Sequence, residues 1–354
     1  MNRRALFASA ALALLLSPAF AQQQEVPPVG VTPSLPALLD QAAGLASLKT
    51  FIVERDGKVI AERAYRGSSL SAPTNIKSAS KSVISALVGI AIDKGFLQGP
   101  NQRIAPILAG ALPQNPDPRL SEITIGHLLS MQSGLARTSG PDYGRWVASR
   151  NWVRFVLEQP FEDEPGGAML YSTGSTHLLS AILTRVTGRP TRELAREWLG
   201  PLDGFAIAGW ERDPQGIYLG GNQMAMSARS LLAFGELFRN GGRTPDGRQL
   251  ISPGWIEASW QPRTSSRYSG DGYGYGWFMR RIGGEDVVYA WGYGGQMLYI
   301  VRSLALTVVM TSDDTNPSAR SGYRDQLHGL LAGVISAVRD RSVDGSGSTA
   351  VDDG

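Results

Sequence analysis

Residues 78–95 read Ser78-Ala79-Ser80-Lys81-Ser82-Val83-Ile84-Ser85-Ala86-Leu87-Val88-Gly89-Ile90-Ala91-Ile92-Asp93-Lys94-Gly95. Val83, Ile84, Leu87, Val88 and Ala91 recur at helical spacing, and Ile90 and Ile92 extend the apolar surface almost all round. A helix of that kind belongs in the middle of a fold, and Gly95 supplies its stop. At its start Ser78 and Lys81 stand at i and i+3 on one helical face, so hydroxyl and amine can meet. A serine hydroxyl becomes a nucleophile only when a base takes its proton. A lysine serves as that base only where burial or a neighbouring cation lowers its pKa. The backbone N–H groups at a helix start suit a developing oxyanion. The alternative reading makes Ser78 a plain N-cap and Lys81 a side chain snorkelling to solvent.

Composition narrows the choice. The chain of 354 residues has 29 Arg but five Lys: Lys49, Lys58, Lys77, Lys81 and Lys94. Arg cannot lose its proton, so chemistry that needs a titrating cation has to keep Lys. Of the five, Lys81 alone has a serine three residues earlier. No Cys occurs, which removes disulfides, thiolate metal sites and cysteine nucleophiles. No Gly-x-Ser-x-Gly elbow occurs either. The three histidines, His127, His177 and His328, lack metal-ligand spacing; His127 and His177 fall in helix patterns and read as structural. No cofactor is called for.

The N-terminus reads as a secretory signal: Arg3 and Arg4, an apolar run over 5–16, then Ala19-Phe20-Ala21. Residues 1–21 are expected to be cleaved and the protein exported, to the periplasm or beyond; a retained anchor is the alternative. No later segment is long and apolar enough to span a membrane. Without Arg3 and Arg4, 32 basic residues face 31 acidic ones, so the net charge falls from +3 to about +1. No basic segment is present to grip nucleic acid. A hydrophobic content of 42% excludes the disordered class.

Outward from 78–95, residues 22–34 read as a flexible leader and 36–48 as a first helix. Alternating runs at 50–55 and 58–65 joined by Asp56-Gly57 predict a hairpin. Helices are expected over 124–132, closed by Gly134, and over 146–157, 175–186, 227–239 and 327–338. Residues 169–171 read as extended, and strands are expected at 273–280, 286–291, 297–302 and 306–311. The tail 341–354 is Gly-, Ser- and Asp-rich and reads as disordered. One hairpin near the start and several strands near the end imply an α+β fold. Its antiparallel sheet would be built from both chain ends and flanked by helices, with a mostly helical second lobe over about 96–270. A site then falls in the cleft between the two.

Three further stretches carry candidate chemistry. Tyr171-Ser172-Thr173 precedes a helix; a tyrosine near Lys81 can shuttle the serine proton, or else is a core aromatic. In 290–296 (Ala-Trp-Gly-Tyr-Gly-Gly-Gln), strand glycines admit a close backbone or mark a bulge. There the N–H of Tyr293 can pair with that of Ser78 as an oxyanion hole. Tyr143, with Asp142 and Trp146, belongs to a cleft-side lid or to a packed surface helix.

Ser78-x-x-Lys81, Tyr171-x-Thr173 and the glycine-rich Trp291-Gly292 occur in the order found in the penicillin-recognising serine hydrolases, which the chain resembles over about 45–340. Within that superfamily it is similar to class C β-lactamases, DD-peptidases and β-lactamase-fold esterases. Residues 142–150 and Gly294-Gly295-Gln296 are most similar to the aminohexanoate-oligomer hydrolase branch. Residues 123–135 and 220–235 resemble that family's linking segments. The resemblance implies a β-lactamase/transpeptidase-like fold over 35–340. It implies catalysis by Ser78, Lys81 and Tyr171, an oxyanion hole of the Ser78 and Tyr293 N–H groups, and substrate contacts at Thr173, Trp291, Gly292 and Tyr143. Two departures stand out. Thr173 replaces the usual Asn, and no Lys-Thr-Gly exists, since no Lys follows Lys94. In the family that cation holds a substrate carboxylate, so its loss favours esters or small amides, with Trp291 as an apolar wall. The expected partner is a small ester, amide or peptide substrate. A DD-peptidase or weak β-lactamase, and a non-catalytic peptidoglycan or peptide binder, remain the alternatives.

Overall fold

The Asp56-Gly57 turn forms as its sequence requires: both residues take positive φ, 51° and 74°, the pair of left-handed conformations that a two-residue hairpin needs. The computed structural model describes residues 33–319 and 321–344, excluding the side chains of 341–344. The expected signal peptide 1–21, most of the leader 22–34 and the tail beyond 344 lie outside the described residues.

Helix α1 (Leu35–Ala43) is capped by the Ser34 side chain and leads into strands β1 (Leu48–Arg55) and β2 (Lys58–Ala64). The short β3 (Thr74–Asn75) and a 3₁₀ turn at Lys77–Ala79 enter α2 (Ser80–Asp93). The middle of the chain holds α3 (Ile125–Leu129), α4 (Tyr143–Val147), α5 (Trp152–Leu157), α6 (Thr173–Thr187) and α7 (Thr191–Trp198). It continues through β4 (Gly209–Trp210), β5 (Met224–Met226), α8 (Ala228–Arg239) and α9 (Pro253–Ser259). The last part gives β6 (Thr264–Ser265), β7 (Gly272–Tyr273), β8 (Phe278–Ile282), β9 (Glu285–Gly292), β10 (Gln296–Val301), β11 (Leu306–Ser312) and α10 (Tyr323–Asp344).

Eight strands form one antiparallel sheet in the order β2-β1-β11-β10-β9-β8-β7-β6, so the first hairpin joins the last strand. This is the α+β architecture expected, with a mostly helical second lobe. Alternation along the strands divides the core. Phe51, Val53, Tyr289, Met297, Tyr299 and Val308 face α1 and α10. Ile52, Ala290, Leu298, Ile300 and Val309 face the side that holds α2 and α8. Every residue of α2 from Ser80 to Ala91 is buried, as its all-round apolar pattern requires.

Several elements depart from the sequence expectation. The helix expected over 146–157 is two, α4 and α5, because the Asn151 side chain accepts from Arg154 N–H and starts a new helix. The helix over 124–132 stops at Leu129, where Met131 turns left-handed (φ 62°) well before Gly134. The strand over 273–280 is interrupted between β7 and β8. There Gly276 takes φ 81°, and Ser82 and Ser85 of α2 donate to the carbonyls of Gly276 and Tyr275 at 2.7 Å each. The central helix thus takes carbonyls that would otherwise join the sheet, and its buried serines are satisfied. Residues 169–171 form no strand, although Leu170 N–H donates to Met131 O. Helices α7 and α9 and the small sheet β3-β5-β4 had no sequence expectation. The final helix continues to Asp344, past the boundary placed at 340.

Candidate active site

Ser78 lies in the 3₁₀ turn where β3 becomes α2. Lys77, just before it, takes a left-handed conformation (φ 51°), which costs a non-glycine residue roughly 1–3 kcal/mol unless its surroundings hold it. They do: Lys77 N–H donates to Asn75 Oδ1 at 2.9 Å, and its ammonium pairs with Asp314 at 2.8 Å. Ser78 does not act as the cap of α2; the cap position falls on Ala79 and has no side-chain bond.

Lys81 does not snorkel. It is 1% exposed, the only fully buried member of the five lysines. Its Nζ lies 3.1 Å from Ser78 Oγ, 3.2 Å from Thr173 Oγ1 and 2.7 Å from the Gly221 carbonyl oxygen. Among the described residues no carboxylate is paired with it. Burial alone pulls its pKa down to about 7, since desolvation penalises the charged form. A neutral amine has two N–H donors and one lone pair. Two acceptors, Gly221 O and Thr173 Oγ1, then leave the lone pair for the Ser78 hydroxyl.

Tyr171 completes the group. Its ring lies 5.0 Å from Lys81 Nζ and its phenol interacts with the Ser78 hydroxyl. It is held by Phe278, stacked at 6.1 Å, and by Tyr273, edge-on at 6.1 Å. Burial pushes its pKa up to about 12, against a smaller downward pull from Ser78. Thr173, the first residue of α6, bonds Lys81 through its hydroxyl, and the Ser139 hydroxyl lies 2.9 Å from Thr173 Oγ1 while accepting from Thr173 N–H.

The remaining expected residues sit around this centre at different removes. Tyr143 OH accepts from Asn222 Nδ2 at 2.9 Å, next to Gly221. Tyr293, 47% exposed, occupies the β9–β10 turn beside Gly294 (φ 83°) and Gly295 (φ 100°), and its N–H has no hydrogen-bond partner among the described residues. Gly292 is buried against the segment leading into Ser78: an added Cβ would stand 2.2 Å from Ile76 O. Its small size therefore lets β9 pack on that segment. Trp291 packs on Phe278 at 5.6 Å, lies 5.2 Å from the Arg324 guanidinium, and donates through Nε1 to Ser318 Oγ at 3.1 Å. It meets the site through Phe278, which it shares with Tyr171.

Sequence reasoning did not single out Gly221, Ser139 or Asn222 as site residues. Gly221 contributes only a backbone carbonyl, and its φ of 82° with Thr176 Oγ1 and Lys81 Cγ within 2.8 Å of a would-be Cβ leaves room for glycine alone. Among the described residues no group of three or more His, Asp or Glu is placed to hold a metal ion, and no helix is long and apolar enough to cross a membrane.

The sheet of both chain ends, the buried central helix and the serine–lysine–tyrosine group describe a penicillin-recognising architecture. The beta-lactamase family model matches residues 37–332, and the chain belongs to that family. It is similar to the 6-aminohexanoate-dimer hydrolase of Paenarthrobacter ureafaciens, 24% identical over 323 residues that cover 84% of this chain and 79% of that protein. Among solved structures it is similar to EstCE1, a hydrolase with promiscuous acyltransferase activity (TM-score 0.68, 18% identity, 86% of this chain and 97% of that one). It is also similar to a penicillin-binding protein homologue from Caulobacter crescentus (TM-score 0.67, 17% identity, 87% and 99%).

Proposed function

We propose that the protein is an exported serine hydrolase that cleaves ester or amide bonds of small substrates through an acyl-serine intermediate. The observation that carries this reading is a fully buried lysine amine 3.1 Å from Ser78 Oγ, its pKa pulled down to about 7 by that burial. At pH 7 about half of such an amine is neutral, whereas a phenol at about 12 is ionised to roughly one part in 10⁵. Lys81 is therefore the base, and Tyr171 works as a neutral phenol.

Lys81 takes the Ser78 proton as Oγ bonds to the substrate carbonyl carbon. The N–H groups of Ser78 and Tyr293 receive the oxyanion. The carbonyl–heteroatom bond then breaks, and the proton passes from Lys81 through Tyr171 to the departing alcohol or amine. Water then adds to the acyl carbon and gives a proton to the same pair; the bond from that carbon to Ser78 Oγ breaks, the proton returns to Oγ, and the carboxylic acid product leaves. The lack of a third-motif cation supports uncharged esters or linear amides over penicillins and D-Ala-D-Ala peptides. The 6-aminohexanoate-dimer hydrolase among the similar proteins supports a small linear amide as one such substrate.

The test is incubation with a fluorophosphonate, followed by peptide mass mapping. Label is expected on Ser78 and absent from Ser78→Ala. Lys81→Arg is expected to slow labelling by about 10²–10⁴-fold, because Arg cannot act as a base. Turnover of p-nitrophenyl butyrate is expected to exceed that of nitrocefin and of a D-Ala-D-Ala peptide. A folded protein that takes no label is a binder instead, and one that prefers the peptide is a DD-peptidase.

A further inference from the structure

A buried histidine and aspartate outside the proposed catalytic group are joined to Lys81 through the backbone. His177 and Asp213 have fully buried side chains, and His177 Nε2 lies 3.0 Å from Asp213 Oδ2. The His177 ring is wedged edge-on against Trp146 and Trp152, each 5.6 Å away. On its other side Gly220 N–H donates to His177 Nδ1 at 3.4 Å. With Nδ1 accepting, Nε2 carries the hydrogen and donates to Asp213, so the neutral ring is satisfied at both nitrogens. Asp213 Oδ1 is already engaged by the N–H groups of Gln215 and Ile217, both at 2.8 Å.

The next residue, Gly221, turns its carbonyl to Lys81 Nζ. Gly220 lies directly on the α6 backbone: an added Cβ would stand 2.1 Å from Thr176 O and 2.7 Å from His177 Cα. On α6, Thr173 and His177 are four residues apart and share a face. Thr173 bonds the amine itself, and His177 fixes the strand of chain that supplies its other acceptor.

We infer that His177 and Asp213 are positioning residues that fix the Gly220–Gly221 backbone and thereby set the orientation and proton affinity of Lys81. This rests on the hydrolase reading only for its effect on rate. The assigned tautomer makes Asp213→Asn the informative change. The oxygen of the new amide stays on the Gln215 and Ile217 N–H groups, so its NH₂ faces His177 Nε2. That nitrogen must then accept, the ring hydrogen moves to Nδ1, and two donors confront each other at Gly220. The same logic governs an aspartate behind a catalytic imidazole, where the Asn variant selects the wrong tautomer.

The experiment is NMR titration of lysine side chains in protein made with ¹³C,¹⁵N-lysine. Five lysines give few signals, and Lys81→Met assigns the one of interest. In Asp213→Asn the Gly221 carbonyl is expected to withdraw from Nζ and Lys81 to titrate at lower pH than in the parent. Fluorophosphonate labelling is expected to slow about tenfold to a hundredfold, the scale of a small misplacement of a reacting group. His177→Phe/Asp213→Asn, which leaves no buried charge, is expected to show the same two changes at temperatures well below its own Tm. A Lys81 titration that is unmoved, or moved upward, in the folded variants overturns the positioning role whether or not the enzyme turns over. A parent that fails to label at Ser78 overturns the hydrolase reading and leaves the titration result standing by itself.

Discussion

Lys81 gathers the evidence at the scale of single residues. In the proposed mechanism its base form is the active one, so acylation below neutrality is expected to rise about tenfold per pH unit and to level off above about 7, where burial has placed its pKa. A rate profile in p-nitrophenyl butyrate that keeps climbing to pH 10 would show a solvated lysine instead. Tyr171 contributes no limb in this range, since burial holds its phenol at about 12. The meeting of Ser78 and Lys81 was legible in the sequence because side-chain chemistry and i, i+3 spacing are both written there. The Thr173 hydroxyl replaces an amide in the family pattern yet still reaches the amine, at 3.2 Å. Gly221 was not legible as a ligand of Lys81, because a backbone carbonyl leaves no mark on residue identity. His177 reads as one more helical histidine until Asp213, 36 positions later, is seen beside it.

Helix α2 shows how far pattern reading reaches at the scale of elements. Its all-round apolar sequence predicts burial correctly, but not what it is buried against. Gly89 is the clearest instance: a Cβ there would stand 2.3 Å from the Trp255 ring of α9. Alanine raises helix propensity by about 1 kcal/mol over glycine, yet overpacking a filled core costs about 1–3 kcal/mol. Gly89→Ala is therefore expected to lower stability by up to about 2 kcal/mol in urea unfolding, and a stabilised variant would show that α9 yields freely. The same limit explains the split helix and the broken strand. Asn151 restarts a helix with one side-chain bond. The 273–280 run is apolar enough for a strand, but Ser82 and Ser85 of a distant helix take its carbonyls. Local pattern ranks what a segment prefers; partners decide where it stops.

At the scale of the whole molecule the first hairpin joins the last strand, and a largely buried carboxyl pair lies at that junction. Glu54 of β1 meets Glu236 of α8, which Arg239 and Thr307 also hold. Burial first, then the Glu236 hydrogen bond and charge, raise the Glu54 pKa to about 8; burial pushes Glu236 up as well, but hydrogen bonds from Arg239, Glu54 and Thr307 together with the Arg239 charge outweigh it and hold Glu236 below its ordinary value. A raised folded-state pKa means that the folded protein binds the proton more tightly than the unfolded chain. That stability is full below about 4.5 and is lost as pH rises through about 8. Glu54→Gln, which keeps a donor toward Glu236, is expected to flatten the fall in Tm between pH 6 and 9 by calorimetry; an unchanged fall would remove the shared proton from the account. The sequence by itself determined the α+β class, the burial of α2 and the Ser78–Lys81 pair, because apolar period, turn residues and i, i+3 spacing are local properties. Only the tertiary structure decided that β1 joins β11, that Lys81 rests on Gly221 and Thr173, and that His177 finds Asp213. Those are contacts between segments far apart in the chain, formed through backbone groups and burial that no single stretch of sequence specifies.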